Sequence, residues 1–216
     1  MGSISILAHL GTKLEHSMKT ILSLFDYTGN WSKPYRDAGY QVIQHDIKLG
    51  WDIFTDTIPA AIADSVEGNP IHGILAAVPC TDFAGSGARW WKDKETMPAN
   101  YDSRDVQFDS TVEMSTAFVY SVLYLVELFD PAWWVIENPV GRMHRLVPEI
   151  GEPLMYFNPT DFGHPYTKRT ALYGKFNTNL QKHYALNLFG SEMWSRYGGK
   201  SEKTKAARSV TPLGFA

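Results

Sequence analysis

The sequence predicts a single α/β domain built on a doubly wound, mostly parallel sheet. Short apolar runs alternate with segments of helical character along the chain, which is the order expected for parallel strands joined by crossover helices. Each run ends at glycine, proline or polar residues, so unusual side chains collect at the carboxyl edge, where such sheets bind ligands. The length of 216 residues suits one domain, or at most one and a half, with a sizeable core.

The first half of the predicted fold is a strand–helix–strand unit. Thr20–Phe25 is an apolar run followed by turn-forming residues at Asp26–Ser32, which indicates a buried strand leading into a loop. Lys33–Ala38 is predicted to be a helix, because a proline stands in its first turn and a glycine follows it. Tyr40–Gln44 is the second predicted strand, and a histidine and an aspartate follow it.

The second half repeats the alternation around a long polar segment. Ile58–Ser65 is predicted to be a helix, and Gly73–Val78 is the third predicted strand. Thr81–Ser103 is polar and contains glycines and a proline, so it is predicted to be a long loop or lid. Val106–Phe129 is the longest apolar-periodic segment and is predicted to be a helix. The remaining predicted strands are Trp133–Ile136 and one within Tyr166–Tyr173.

Composition excludes several classes of protein. Hydrophobic residues at 44% and charged residues at 20% are typical of a globular chain rather than a disordered one. The single cysteine, Cys80, excludes an internal disulfide framework and a Cys-rich zinc site, and we expect no metal. The longest apolar stretches span about ten residues, short of a bilayer-spanning helix. Ile4–Leu10 lacks the basic leader of a signal peptide, so we expect a cytoplasmic protein that does not enter a membrane.

Charge is distributed unevenly along the chain and suggests three regions. The net charge is −3, but residues 175–216 carry +5 and the first 174 residues carry −8. The basic end is either a site for a polyanion or a solvated tail. Residues 1–17 show no clean periodicity, so we expect a leader or disordered extension there. A domain at 18–174, which the motifs below suggest is catalytic, and a short basic C-terminal segment at 175–216 follow it.

The turn after the first strand and the acid after the second are candidates for binding a nucleoside-containing ligand. Gly29 lies within the turn Phe25–Ser32, and a glycine there lets the backbone approach a ligand closely. Asp46 follows about twenty residues later, where an acid can accept hydrogen bonds from both ribose hydroxyls. The alternative is an ordinary connecting loop.

Three further strand-end features carry reactive or charged side chains. Cys80 follows Pro79 after the third strand, and it is either a buried small hydrophobe or an exposed nucleophile. Glu137 follows the fourth strand, where a carboxylate is costly unless it is paired or used. Lys168 and Arg169 can clamp a phosphate or a base carbonyl, or they belong to an exposed charged turn.

In their order along the chain, these motifs resemble those of the cytosine carbon-5 DNA methyltransferases, most closely the compact members met in bacteriophage and prophage genomes. Six motifs carry the resemblance over roughly residues 21–174, and order makes them more specific together than singly. The motifs are LFDYTGNWS, QHDI, GWDIF, AAVPCTDFAGSGARWW, VIENPVGRM and FGHPYTKRTALYG, and the final RSVTPLGFA resembles the start of the family's closing segment.

The resemblance implies a Rossmann-like fold, S-adenosyl-L-methionine as cofactor and specific roles for the strand-end residues. Cys80 is implied as the thiolate that adds to carbon 6 of cytosine, and Glu137 as the partner of ring nitrogen 3 and the amino group. Arg169 or Lys168 is implied as the contact to the base carbonyl. The implied cofactor-binding residues are Phe25, Asp26, Tyr27, Thr28, Gly29, Asn30, Trp31, Asp46, Ile47, Asp52, Ile53 and Pro79.

The resemblance also implies DNA as partner, either a duplex with a flipped cytosine or a single strand. About forty residues follow Gly174, too few for the recognition domain of larger relatives. Base readout is therefore expected from Thr81–Ser103 and Lys175–Arg208, or from a separate specificity partner. If the gene is carried by a phage, the protein acts in the cytoplasm of a bacterial host. The alternatives are an RNA cytosine carbon-5 methyltransferase and an inactive relative that binds cofactor or nucleic acid.

Overall fold

The computed structural model describes residues 18–55, 58–66, 69–101, 106–185 and 215. Their core is one six-stranded sheet. The predicted leader and most of the basic C-terminal segment lie outside the described residues. The strands are β1 (Thr20–Leu24), β2 (Gln41–His45), β3 (Ile71–Ala76), β4 (Trp133–Pro139), β5 (Met155–Phe157) and β6 (Thr170–Lys175).

The sheet is mixed, in the order β2-β1-β3-β4-β6-β5. The parallel half is confirmed, because β1 pairs in parallel with both β2 and β3, and β3 pairs in parallel with β4. β6 pairs antiparallel with both β4 and β5. The three-residue strand β5 was not predicted from the sequence, and neither was the direction of β6. A short edge strand carries too few residues for an alternating pattern to show.

Helices pack on both faces of the sheet, but unequally. The helices are α1 (Lys33–Asp37), α2 (Ile58–Ser65), α3 (Trp91–Lys94), α4 (Thr111–Phe129) and α5 (Met143–Leu146). The first face is covered by α2 and α4, which supply Ile62, Phe118 and Val122 to the larger apolar cluster. On the second face, the described helical cover is the short α1, which contributes Tyr35. The doubly wound prediction therefore holds only in part.

Capping fixes the start of α4 five residues later than predicted. Ser110 accepts a hydrogen bond from the Glu113 amide at 3.1 Å, and the Glu113 carboxylate accepts one from the Asp109 amide at 2.6 Å. These bonds satisfy first-turn donors that would otherwise be unpaired. With 19 residues and a mean hydropathy of 1.4, α4 meets the length and composition of a membrane span. Here its Val119 and Val122 pack in the apolar cluster against the sheet.

The predicted lid contains local helical structure and is joined to the sheet at its root. A 3-10 turn spans Gly85–Trp90, and α3 follows it directly. The Gly85 amide donates to the Val140 carbonyl at 2.9 Å, and the Val140 amide donates to the Arg169 carbonyl at 3.0 Å. The root of the lid therefore lies beside the end of β4, which lies beside the segment that enters β6.

Candidate active site

Cys80 lies in a tight turn that begins just after β3. Its carbonyl accepts hydrogen bonds from the amides of Phe83 and Ala84 at 3.1 and 3.0 Å. The side chain is half-buried. Burial raises the pKa of the Cys80 thiol; the charge of Lys168 opposes that rise and the charge of Glu137 adds to it. Both charged groups are thus close enough to act on the thiol.

Glu137 and Lys168 form an ion pair next to Cys80. Lys168 Nζ lies 3.7 Å from Glu137 Oε1, and the two side chains are only 23% and 13% exposed, in that order. Glu137 is in β4, whereas Lys168 belongs to the segment that enters the antiparallel β6. The fold therefore brings a thiol, a carboxylate and an ammonium group to one place from three separate parts of the chain. This set can combine nucleophilic attack with hydrogen bonding to a polar ring.

Arg169 takes a different position from its neighbour Lys168. Its guanidinium carbon lies 5.0 Å from the centre of the Tyr156 ring, and its side chain is exposed. Successive side chains of an extended chain point to opposite sides, so two adjacent residues do not both face one site. Of the two cations proposed from sequence, Lys168 is the one that the structure places beside Glu137.

Asn138 fixes the relative position of the two strand ends that carry Cys80 and Glu137. Its side-chain amide donates to the Val78 carbonyl at 2.9 Å, and the residue is fully buried. The bond holds the end of β4 against the chain just before Cys80. Asn138 lies within the motif VIENPVGRM, but no role for it was predicted from the sequence. The signal was present, because a buried amide requires a partner.

The turn after β1 divides into buried and exposed residues. Asp26 is buried, and its Oδ2 accepts hydrogen bonds from the Ser23 hydroxyl at 3.0 Å and from the Ser32 amide and hydroxyl at 3.1 and 2.9 Å. Trp31 is 2% exposed and lies 6.0 Å from Phe215, ring centre to ring centre. The structure therefore places Asp26 and Trp31, both predicted to bind cofactor, inside the scaffold that supports the turn.

The exposed part of this turn is anchored by Gln44. The Gln44 amide group donates to the carbonyls of Asp26 and Tyr27 at 2.5 and 3.1 Å. Gly29 has a φ of +68°, and a Cβ there would lie 2.9 Å from Gln44 Oε1, so no larger residue fits without strain. Tyr27 is exposed, as is Thr28, whereas Asn30 is half-buried. These residues form the surface of the turn.

Asp46 and Ile47 follow the end of β2. Asp46 Oδ1 accepts a hydrogen bond from the Lys48 amide at 2.9 Å and caps a single 3-10 turn. Its side chain stays partly accessible, and that of Ile47 is exposed. Next to them, the His45 ring stacks on Trp51 with a centroid distance of 4.5 Å. Burial lowers the pKa of His45 to about 4, so the ring is neutral at pH 7.

Phe118 of α4 lies beside two of the predicted cofactor positions, Phe25 and Pro79. It packs edge-on against Phe25 at a ring-centre distance of 5.5 Å and stacks on Phe54, which follows Ile53, at 4.8 Å. With Pro79 it also lines a cavity of about 160 Å³ beside the lid. Sequence reasoning missed Phe118, although its place within the apolar stripe of α4 was readable.

Asp52, the other predicted cofactor acid, is held in place by the lid. Its Oδ1 accepts a hydrogen bond from the Tyr101 hydroxyl at 2.5 Å and another from the Phe54 amide at 3.0 Å. Burial and the nearby Asp52 raise the pKa of the Tyr101 hydroxyl, which therefore remains a donor at neutral pH. This hydrogen bond joins the end of the predicted lid to one of the predicted cofactor-binding residues.

Comparison with known proteins finds similarity among solved structures only, and it is distant. No protein-family model and no curated protein matches the chain. One similar solved structure, from E. coli, carries the provisional name of a DNA modification methyltransferase encoded within a prophage. The match has 16% sequence identity and a TM-score of 0.42, and it covers 73% of this chain and 46% of that one. The chain thus spans about half of that protein's length, and a likeness this low carries no argument about function.

Proposed function

We propose that the chain is a DNA (cytosine-5-)-methyltransferase that uses S-adenosyl-L-methionine and forms a covalent adduct through Cys80. The observation that carries this proposal is the meeting of Cys80, Glu137 and Lys168, with 3.7 Å between the carboxylate and the ammonium group. The sequence motifs resemble this family and suggest the role of each group. An isolated nucleophile would support only a general transferase; the added carboxylate and cation suit a pyrimidine ring.

In the proposed reaction, the Cys80 thiolate adds to carbon 6 of an extruded cytosine and forms a carbon–sulfur bond. Charge then develops on the ring, where Glu137 accepts a hydrogen bond from the amino group and shares a proton with ring nitrogen 3. Lys168 donates to the base carbonyl oxygen. S-Adenosyl-L-methionine, when bound, supplies the electrophilic methyl group for carbon 5. Carbon 5 afterwards loses its proton to solvent, and the sulfur of Cys80 leaves.

The residues at the ends of β1 and β2 fit the polar and flat parts of this cofactor. The partly accessible carboxylate of Asp46 can accept hydrogen bonds from ribose hydroxyls. The carboxylate of Asp52, which accepts a hydrogen bond from the Tyr101 hydroxyl, can also accept one from an adenine amino group. Phe25 and Pro79 add apolar surface around Phe118. The carboxylates can accept hydrogen bonds from a nucleoside, and the glycine turn and the apolar surface can lie against its flat parts.

A covalent trap tests the nucleophile. DNA containing 5-fluorocytosine should form a stable adduct with the full chain in the presence of cofactor, because fluorine blocks the elimination that releases the enzyme. Cys80→Ser should abolish the adduct while cofactor binding persists. If the wild-type chain gives no adduct with single-stranded or duplex DNA, the enzyme proposal fails. The alternative of an inactive relative that binds cofactor or nucleic acid then replaces it. RNA containing 5-fluorocytosine tests the alternative of an RNA methyltransferase. An adduct with this RNA but not with DNA would favour that alternative.

Calorimetry with S-adenosylhomocysteine tests the cofactor site. Binding in the micromolar range is expected, roughly −8 kcal/mol. Asp46→Ala should weaken it about tenfold, because hydrogen bonds from ribose hydroxyls to a charged acceptor are lost. Asp37→Ala is the matched control, since Asp37 is an exposed acid of α1 that pairs with Lys33. Equal affinity in both variants removes Asp46 from the site.

A further inference from the structure

The buried Arg142 binds the backbone of the turn that carries Cys80. The turn closes on itself through hydrogen bonds to the Cys80 carbonyl. Arg142 Nε donates to the Asp82 carbonyl at 2.9 Å, and the arginine is only 6% exposed. Arg142 also contacts α3 and its C-terminal end: its Nη1 lies 3.2 Å from Glu95 Oε1, and its guanidinium carbon lies 4.7 Å from the centre of the Trp91 ring. Arg142 therefore joins the nucleophile turn to α3.

The buried carboxylate of Asp82 is a second junction. Its Oδ2 accepts a hydrogen bond from the Ser115 hydroxyl at 2.7 Å, and its Oδ1 accepts one from the Thr111 hydroxyl at 3.2 Å. Both donors belong to α4. Lys94 Nζ lies 3.1 Å from the same Oδ1. The Asp82 side chain is only 2% exposed, so these partners replace the water that a buried charge loses.

Lys94 is the lysine of α3 that faces inward. Its side chain is 13% exposed, whereas Lys92, two residues earlier, is exposed. Besides its ion pair with Asp82, Lys94 donates a hydrogen bond to the carbonyl of Thr81, the residue directly after Cys80. One ammonium group of the lid therefore holds the backbone on the C-terminal side of the nucleophile.

The charged groups that surround Cys80 come from several elements. Burial is the largest influence and raises the pKa of the thiol; Lys168 lowers it, Glu137 raises it, and Lys94 lowers it. Asp82 partly neutralises Lys94 through their ion pair. The thiol therefore experiences one positive charge from the segment before β6 and another from α3, and only the latter belongs to the lid.

We propose that Lys94 is a positioning residue that makes the reactivity of Cys80 depend on the docking of α3. With α3 docked, Lys94 holds the Thr81 carbonyl and adds a positive charge to the surroundings of the Cys80 thiol. With α3 displaced, both contributions are lost. The inference deepens the proposed function, because it takes Cys80 as the reacting group. It concerns the thiol alone, so neither cofactor nor DNA is needed to examine it.

Alkylation of Cys80 by iodoacetamide, followed by mass spectrometry across pH, tests the proposal on the full chain. Cys80 is the single cysteine, so each mass increment reports one site. Lys94→Gln keeps an N–H donor for the Thr81 carbonyl but removes the charge. It should slow alkylation about threefold at pH 8 and displace the rate profile to higher pH. Lys94→Arg should restore the wild-type profile, and Lys92→Gln, the matched control, should retain it.

Several outcomes would overturn this role. A profile of Lys94→Gln that coincides with that of Lys92→Gln excludes it, as does a rate change that is equal at every pH. If Lys94→Gln does not fold, Asp82→Asn provides the second variant. It leaves the lysine charge uncompensated and should displace the profile to lower pH; an unchanged profile again excludes the role. Absence of the fluorocytosine adduct would contradict the proposed function without altering these profiles.

Discussion

Glu137 and Lys168 meet across the boundary between the parallel and antiparallel halves of the sheet, 3.7 Å apart from Oε1 to Nζ. β4 runs toward this edge and β6 runs away from it, with Pro139 opposite Thr170 in the register. The C-terminal end of one strand and the start of the other therefore lie side by side. Because of this antiparallel pairing, a cation that enters β6 lies next to the carboxylate of β4.

Replacement of Lys168 should separate the roles of the two adjacent cations. Lys168→Gln should slow adduct formation with fluorocytosine DNA about 100-fold, because the cation beside Glu137 that we propose as the donor to the base carbonyl is lost. Arg169→Gln should keep the adduct rate of bound DNA and lower only DNA affinity, since Arg169 lies over Tyr156. Single-turnover gel assays at saturating DNA provide the measurement. The reverse ranking of the two variants would assign the base contact to Arg169.

Asp26 should prove to be a stabilising residue. Asp26→Ala removes the acceptor of hydrogen bonds from Ser23 and Ser32 and leaves buried donors unpaired, which should lower the free energy of unfolding by about 3 kcal/mol. Asp37→Ala, in an exposed ion pair, should change it by less than about 1 kcal/mol. Urea titrations of both variants give the comparison. A fully stable Asp26→Ala variant that no longer binds S-adenosylhomocysteine would instead indicate direct cofactor contact.

Gly141 should tolerate no side chain, because the lid root packs directly on it. A Cβ at Gly141 would lie 1.8 Å from the Phe83 carbonyl oxygen, and this oxygen accepts the Arg142 amide at 2.9 Å. Gly141→Ala should destabilise the fold by more than about 2 kcal/mol. Gly87→Ala is the control within the lid, since its Cβ would meet the Thr81 carbonyl at an ordinary 3.8 Å. Thermal unfolding of both variants tests the difference; equal melting temperatures would show that the lid root can move away.

Local sequence signals predicted the longer strands and helices, but not all of their boundaries and not the short α3, α5 and β5. The residues of α2 agree with the prediction, and β1, β2 and β4 overlap it closely. The start of α4 was placed too early, although the Ser110 and Glu113 pair was a readable cap signal. β3 was placed two residues late at its start, because Gly73 begins the most apolar part of the run while Ile71 already pairs with β1. Such pairing depends on residues distant in sequence.

The sequence predicts that Cys80 and Glu137 lie at one edge of the sheet, because parallel strands share their carboxyl ends. It could not choose between Lys168 and Arg169, since the choice depends on which way the chain faces as it enters β6. Nor could it show that Asp26 turns inward, because its partners Ser23 and Ser32 become neighbours only when the turn closes. The local course of the folded backbone, at the entry to β6 and in the turn after β1, determines the two outcomes.

His45 should make the stability of the fold depend on pH. Its pKa is lowered by burial to about 4, against an ordinary value of 6.5, so the folded state binds fewer protons than the unfolded state between these values. Stability should therefore be lost as pH falls from about 6.5 toward 4, and be constant above that window as far as His45 is concerned. The shift corresponds to at most about 3 kcal/mol, and solvent access to the ring should reduce the effect to about 2 kcal/mol. Urea titrations at pH 7.5, 5.5 and 4.5 measure this loss of stability.

His45→Gln is the control variant. It should be less stable at pH 7.5, because the stacking of His45 on Trp51 is lost. It should also show a flatter dependence on pH in this window; an equally steep loss in the variant would attribute the acid sensitivity to other groups.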